Sequence, residues 1–378
     1  MKIGYDIDSL TIKSGGIGRY AVNLINNIAK ILLRDDRNEV SIFYHKSFNK
    51  DLINKHSNLR FIDKYTHIKS NVLRKGIFLP LCIRDSDMNL FHGLDHVGIP
   101  FLYKAKNCRY VITIHDLITK IYPDMFTMKH RLIQNNLLPL ILGKADKIIA
   151  VSNSTKNDII KFYPEYIDKI KVIYEGVEPQ FFPRNEKEVR EKLHKYKIDF
   201  KYILLLGTLE PRKNILRAID AFIKLKQDKD IDERLVIVGR KGWLYKEILE
   251  KINEMRFSRD IIFPGFVEDD DLPFLYSGAE IFLYPSLYEG FGLPVLEAMA
   301  CGTPIITSNY SSLPEVAGNA AILIDSTKTE EIAKALERLS GNRGLREEFR
   351  KKGLKRAENF SWEKTGEETL KLYEEILG

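Results

Sequence analysis

Apolar residues in this chain fall into short runs, and between the runs lie longer stretches where they recur every third or fourth position. The first run, Lys2–Asp8, is followed by a loop and by a stretch starting near Arg19. There Tyr20, Leu24, Ile28 and Leu32 stand four apart, the spacing that aligns side chains on one face of a helix. Further strand-like runs are Val40–Tyr44, Leu59–Ile62, Tyr110–Ile114, Lys147–Val151 and Lys171–Tyr174, with helical stretches between several of them. The segment Gly176–Asn185 carries two prolines and breaks the pattern, which predicts a linker. The alternation then resumes through Tyr202–Leu206, Leu235–Val238, Ile261–Phe263, Ile281–Tyr284, Pro304–Thr307 and Ala321–Ile324. A last helix is expected after Phe360, with Ser361 as its N-cap. Lys364 stands where a capping box would need Glu or Gln, so that cap rests on Ser361 alone.

Strands alternating with helices predict an α/β fold with parallel sheets covered on both faces. A chain of 378 residues exceeds what one core usually organises. Two doubly wound, Rossmann-like domains are therefore expected, spanning 1–178 and 179–360. Sheets of this kind bind ligands beyond the carboxyl ends of their strands, so two such halves facing each other would form one cleft.

Composition adds little until charge is considered. At 44% hydrophobic and 29% charged residues the chain is globular. The apolar runs Gly76–Ile83 and Leu137–Leu142 are too short to cross a bilayer, and the amino terminus lacks a signal-peptide pattern, so a cytoplasmic protein is expected. Cys82, Cys108 and Cys301 are far apart and lack the spacing of a zinc or redox motif. The net charge of +7 is uneven: nine Lys and Arg residues lie between 45 and 84 against only Asp51 and Asp63. Such a stretch is either a solvated face or a surface for an anionic partner, a phosphorylated acceptor or acidic lipid headgroups. No nucleic-acid-binding module accompanies it.

Candidate chemistry concentrates in the second half. Tyr284–Thr303 reads YPSLYEGFGLPVLEAMACGT. Gly290 and Gly292 permit a tight turn after a strand, Pro294 suits the first position of a helix, and Gly302 suits the position past its end. Glu289 then lies in the loop and Glu297 in the first helical turn. The helix start offers N–H groups and a dipole suited to a diphosphate, and a carboxylate there can accept bonds from ribose hydroxyls. The plainer alternative is a turn followed by a dipole-complementing Glu. Upstream, GTLEPRKN (Gly207–Asn214) places Arg212 and Lys213 beyond another strand end, where two cations could balance a leaving diphosphate without a metal. Taken alone, that pair also fits a solvated surface turn.

In the first half, Ser14–Tyr20 (SGGIGRY) contains Gly16, whose backbone could approach a phosphate. Gly16-x-Gly18-x-x-Ala21 loosely matches a dinucleotide fingerprint, but a long loop separates it from the first strand, which argues against nicotinamide binding. His115 and Asp116 follow one strand, and Ser152 and Asn153 follow another. A strand-end His is commonly a satisfied loop residue, and Ser152, Asn153 or Ser154 could serve only as a helix cap.

The segment EGFGLPVLE, with Glu289 and Glu297 at its ends, resembles the signature of retaining glycosyltransferases of family four. GTLEPRKN, VGRKGW (Val238–Trp243), PGFVEDDDLPFLYSGA (Pro264–Ala279), SSLPEVAG (Ser311–Gly318) and FSWEKT (Phe360–Thr365) match in order along nearly the whole chain. The resemblance implies the GT-B fold, with residues 361–378 packing back on the N-terminal domain. It further implies that Glu289 contacts hydroxyls of the transferred sugar, that Glu297 contacts ribose, and that Val267 lies by the base. The backbone of Gly290, Phe291, Gly292 and Leu293 would face sugar and diphosphate, Lys213 would neutralise diphosphate charge, and His115 would approach the sugar or its acceptor. Many relatives carry an Arg where this chain has Thr208, and Arg212 is the candidate to compensate. The implied reaction retains anomeric configuration and uses no metal or other cofactor. GTLEPRKN and SSLPEVAG look most like mannosyl- or rhamnosyltransferases, which suggests a GDP-sugar donor and a glycan or lipid-linked glycan acceptor. A UDP-sugar donor, an epimerase on the same fold and a non-catalytic nucleotide-sugar binder are the alternatives.

Overall fold

The computed structural model describes residues 1–7, 15–35, 37–44, 50–63, 73–240, 250, 252 and 257–378. They form two units, Met1–Gly176 with Ser361–Gly378 and Val177–Phe360.

The first unit is built on a parallel sheet of β1 (Lys2–Asp6), β2 (Glu39–Phe43), β3 (Leu59–Ile62), β4 (Leu90–Gly93), β5 (Arg109–Ile114), β6 (Lys147–Ala150) and β7 (Ile170–Val172), in the order β3-β2-β1-β4-β5-β6-β7. The strand β4 is absent from the pattern-based reading, although it is central and wholly buried. Its sequence, LFHG, has only two apolar residues before a histidine and a glycine, too short a run to register. Gly93 is required there, because a Cβ would meet the backbone of Gly98 at 2.5 Å.

The helix Gly16–Leu32 begins three residues before the expected start and buries Tyr20, Leu24, Ile28 and Leu32 as their spacing predicted. Trp362–Leu377 forms the last helix, and Ser361 caps it by accepting from the Lys364 N–H at 3.2 Å. This helix packs on Gly16–Leu32 so closely that a Cβ on Gly366 would lie 3.2 Å from Asn27. Its Tyr373 is fully buried, and the hydroxyl meets Tyr5 Oη at 3.2 Å and His92 Nδ1. His92 Nε2 continues the network to Thr113, which also meets Tyr20 Oη. Burial, reinforced by nearby His115, pushes the His92 imidazole down to about 3, so it stays neutral within the network.

The basic stretch is not one surface. Arg74 and Lys75 are buried, and Lys75 Nζ lies 2.9 Å from Asp6 and donates to the Val97 carbonyl at 3.1 Å. Arg60 pairs with Glu39 and Arg84 with Asp85, while Lys50 lies over the Tyr44 ring. Lys46, Lys64 and Lys69 fall outside the described residues. Among the described residues no helix is long and apolar enough to cross a membrane.

The second unit has a parallel sheet of β8 (Tyr202–Leu206), β9 (Arg234–Val238), β10 (Ile261–Ile262), β11 (Ile281–Tyr284), β12 (Ile305–Ser308) and β13 (Ala321–Ile324), in the order β10-β9-β8-β11-β12-β13. Ile203, Leu205, Leu235, Ile237, Ile281 and Leu283 carry its core against the helices Ile215–Asp228 and Thr329–Ser340. Burial of each such side chain contributes roughly 1.5–3 kcal/mol. The order reverses between β8 and β11, so the loops leaving those two strands emerge side by side, the arrangement in which doubly wound sheets hold ligands.

Candidate functional site

Of the sequence-predicted residues in the second unit, Arg212, Lys213 and Glu289 meet at that reversal. After β8 the chain turns at Gly207, whose φ of +152° only glycine adopts easily, and a Cβ there would press on the Lys213 stem at 3.2 Å. The short turn Pro211–Lys213 then directs two cations toward the loop that follows β11. The Leu287 N–H donates to the Arg212 carbonyl at 2.8 Å and locks the loops together.

Glu289 is 8% exposed and its carboxylate is held from three sides. Lys213 Nζ donates to Oε1 at 2.6 Å, Tyr284 Oη to Oε1 at 2.9 Å, and Arg212 Nη1 to Oε2 at 2.7 Å. Burial alone would raise this carboxyl, but Arg212 and Lys213 override it and hold it down to about 2. In Lys213, 7% exposed, burial prevails over the partner's charge. Its burial pulls it down to about 8 despite Glu289, with Arg212 adding repulsion. The pair is therefore no solvated surface turn. Arg212 also meets Glu210 at 2.6 Å, so its guanidinium bridges two carboxylates, while Thr208 is exposed.

Three residues of this cluster escaped the sequence reading. Tyr284 supplies the phenolic donor. Ser311 Oγ accepts from the Glu289 N–H at 3.0 Å, and Ser312 Oγ donates to the carbonyls of Glu289 at 3.0 Å and Phe291 at 2.7 Å. Their only sequence signal was membership of SSLPEVAG.

The helix after the loop spans Leu293–Ala300, with Gly292 as its N-cap at φ +111° and Leu313 only 2.8 Å from where a Cβ would stand. Leu293 takes the first helical position and Pro294 the second, one later than expected. Gly302 does end the helix in the left-handed region, at φ +74°. Glu297 consequently lies beyond the first turn, and it is no dipole-complementing surface residue. It is 3% exposed and accepts from Tyr276 Oη at 2.8 Å. Phe291 is buried with its ring 6.0 Å from that of Phe360. Val267 is buried in the loop between β10 and the helix Leu272–Gly278, beside exposed Phe266.

In the first unit, Gly16 opens its helix on the surface after Gly15 at φ +65°, and Ser14 lies outside the described residues. His115 is buried and both ring nitrogens face oxygens that only accept, Leu94 O at 3.0 Å from Nε2 and Glu175 Oε1 at 3.2 Å from Nδ1. An imidazole satisfies both only when doubly protonated. Burial opposes that charge, but Glu175 prevails and raises the His115 value above the usual histidine range. His115 was expected to approach the sugar or its acceptor; here both ring nitrogens are engaged within the unit. Asp116 accepts from the Ile118 N–H at 3.1 Å and lines a small pocket with His96, Val97, Leu117, Thr119 and Leu138. Ser152 is fully buried and caps Asn153–Phe162 by accepting from the Thr155 N–H at 3.0 Å, the plainer of its two readings. Thr155 Oγ1 in turn donates to the His115 carbonyl at 2.9 Å, and Asn153 Nδ2 donates to Tyr174 Oη at 2.8 Å. Among the described residues no group of three or more His, Cys, Asp or Glu side chains is placed to hold a metal ion.

Comparison with known proteins identifies the family. Residues 14–181 match the model of glycosyltransferase family 4, and residues 185–356 match that of glycosyl transferases group 1. The chain is 30% identical over 394 aligned positions to O-antigen chain mannosyltransferase B of Escherichia coli, covering 99% of each. Among solved structures it resembles a sucrose-phosphate synthase from Thermosynechococcus elongatus (TM-score 0.77, 20% identity, covering 100% of this chain and 99% of the other). It also resembles Anabaena HepE in complex with UDP-glucose (TM-score 0.76, 17% identity, covering 99% and 100%). The chain therefore belongs to the family-four glycosyltransferases and has their GT-B fold.

Proposed function

We propose that this glycosyltransferase moves a hexose, mannose or a closely related sugar, from a GDP-sugar to a glycan or lipid-linked glycan, with retention of configuration and without a metal. The observation that carries the reading is the buried Glu289 carboxylate clamped by Lys213 and Arg212. In the free protein the three charges satisfy one another. When a donor binds, sugar hydroxyls take over the carboxylate and the diphosphate takes over the cations. As the bond from the anomeric carbon to phosphate oxygen breaks, Lys213 and Arg212 stabilise the departing charge. The acceptor hydroxyl attacks from the same face, and its proton passes to the departing phosphate oxygen. Two cations at the diphosphate supply the neutralisation that a metal supplies elsewhere.

Mannose is supported by the relative from Escherichia coli, a mannosyltransferase by name. HepE, solved with UDP-glucose, supports a nucleotide-sugar donor and keeps UDP as the second base to test. Val267 is read as the base contact, Glu297 as the ribose contact, and the backbone from Gly290 to Leu293 as the cradle for sugar and diphosphate. The first unit is read as the acceptor-binding half, where His115 contributes positive charge instead of a proton-accepting nitrogen. Exposed Ile77 and Tyr103 meet there, Tyr103 Oη donating to the Ile77 carbonyl at 2.7 Å, with exposed Leu73 and Leu102 close to them in sequence. These exposed apolar side chains on a protein of net charge +7 support a peripheral contact with an acidic membrane surface and a lipid-linked acceptor.

Calorimetric titration with GDP, UDP, ADP and NAD, with and without chelator, tests the donor assignment. Binding of GDP that survives chelation is expected. Binding that requires a divalent cation overturns the metal-free mechanism, and binding of NAD alone overturns the family role of this site. Conversion of GDP-mannose without an acceptor would favour the epimerase.

A further inference from the structure

Glu297 and Tyr276 form a pair whose geometry suggests more than satisfaction of a buried carboxylate. Glutamate has three side-chain torsions, and a carboxylate that must meet two neighbouring ribose hydroxyls at once needs those torsions fixed before the ligand arrives. The helix Leu293–Ala300 fixes only the backbone of Glu297. The side chain is held by the Tyr276 hydroxyl, which donates to Oε2 at 2.8 Å.

Tyr276 is itself immobilised. Its ring packs edge-on against Phe282 at 5.3 Å and Phe181 at 6.0 Å, and it is fully buried. Its carbonyl accepts from Thr303 Oγ1 at 2.7 Å and from the Ala279 N–H at 3.1 Å. The short helix that carries it, Leu272–Gly278, directly follows the loop holding Val267. That loop is tied down by Tyr196, whose hydroxyl accepts from the Glu268 N–H at 3.3 Å and donates to Asp271 at 2.7 Å. One rigid piece of chain thus carries the residue read as the base contact and the phenol that orients the residue read as the ribose contact.

We infer that Tyr276 is the positioning residue for ribose recognition, aiming the Glu297 carboxylate so that the site distinguishes ribonucleotides from 2′-deoxyribonucleotides. This inference rests on the donor reading above, in which Glu297 meets the ribose. Tyr276 touches no substrate; it acts through Glu297.

The test compares whichever of GDP and UDP binds the wild type more tightly with its 2′-deoxy counterpart. Wild type is expected to prefer the ribonucleotide by about tenfold or more, the size of a hydrogen bond to a charged group. Tyr276→Phe keeps the ring and its packing and removes only the hydroxyl, so its melting temperature monitors the fold. The variant is expected to lose most of that preference, chiefly through weaker ribonucleotide binding. In a Glu297→Gln background, adding Tyr276→Phe should change the ratio no further, because the residue it acts through is already impaired. If the phenylalanine variant binds both nucleotides more weakly but with the wild-type ratio, Tyr276 is merely structural and the inference falls. If wild type itself does not discriminate, or binds neither nucleotide, the donor reading of Glu297 fails first and takes the inference with it.

Discussion

Lys213 and Glu289 lie 76 positions apart in sequence and meet at 2.6 Å, both almost wholly buried. A pair of this kind need not stabilise the fold, because desolvation offsets much of the attraction, yet removing one partner strands the other. Lys213→Met is expected to destabilise the protein by about 3 kcal/mol. It should also lower transfer from the sugar nucleotide by roughly 100-fold or more, the usual loss when a preorganised donor at a developing charge is deleted. Glu289→Gln leaves two cations facing a neutral amide and should behave similarly. In the double variant stability should largely return while activity should not. Recovery of activity in the double variant would mean that the pair is structural; chemical denaturation and initial-rate assays supply both readouts.

Donor binding should depend on pH through Lys213. Burial brings this lysine down to about 8, so it loses its charge as pH rises through that value. A bound diphosphate favours the charged form and raises the value again, so binding above about pH 8 takes up a proton. Affinity for GDP or UDP is therefore expected to fall between pH 7 and pH 9. Titrations at pH 9 in buffers of different ionisation enthalpy should register proton uptake. Stability follows the opposite sign. The folded value lies below the ordinary 10.5, so Lys213 costs stability at neutral pH, and that cost is relieved as pH rises from about 8 toward 10.5. Equal affinity at both pH values, without proton uptake, would remove Lys213 from the diphosphate site.

Ser152→Ala should act on the fold alone. The hydroxyl caps the helix Asn153–Phe162 from a fully buried position, and loss of such a cap costs about 1 kcal/mol. A lower melting temperature with unchanged KM for donor and acceptor is expected. A raised KM with an unchanged melting temperature would restore Ser152 to the substrate site.

How far the sequence could be read depended on how local each signal was. Strand runs such as Tyr202–Leu206 and Ala321–Ile324 were legible to the residue because an apolar run bounded by polar residues needs no distant information. The central strand Leu90–Gly93 was not, since what makes it a strand is the company of β1 and β5 on either side. Arg212 and Lys213 could be placed beyond a strand end, but whether they met solvent or a carboxylate depended on β11 lying beside β8, a fact of topology. Arg74 and Lys75 misled for the same reason: counted as part of a basic stretch, both are buried, Lys75 against Asp6 on another element. Glu297 was misplaced by a single position, which carries it past the first turn, because the helix starts at the residue after Gly292 and not at its proline. Its partner Tyr276 belongs to a separate helix that no spacing rule connects to it.

The seven-stranded unit is assembled from Met1–Gly176 and Ser361–Gly378, with all of Val177–Phe360 lying between them in the chain. A ribosome making this protein completes the six-stranded unit before it supplies Tyr373, the residue that closes the buried network of Tyr5 and His92. The unit whose synthesis begins first is thus the one whose core is finished last. Throughout that interval the face of Gly16–Leu32 that awaits the final helix is uncovered, and a nascent chain stalled near residue 360 would pair a finished domain with an open one. Quality control acting on such a stalled product would meet its sticky surface at the amino-terminal half, far in sequence from the point of interruption.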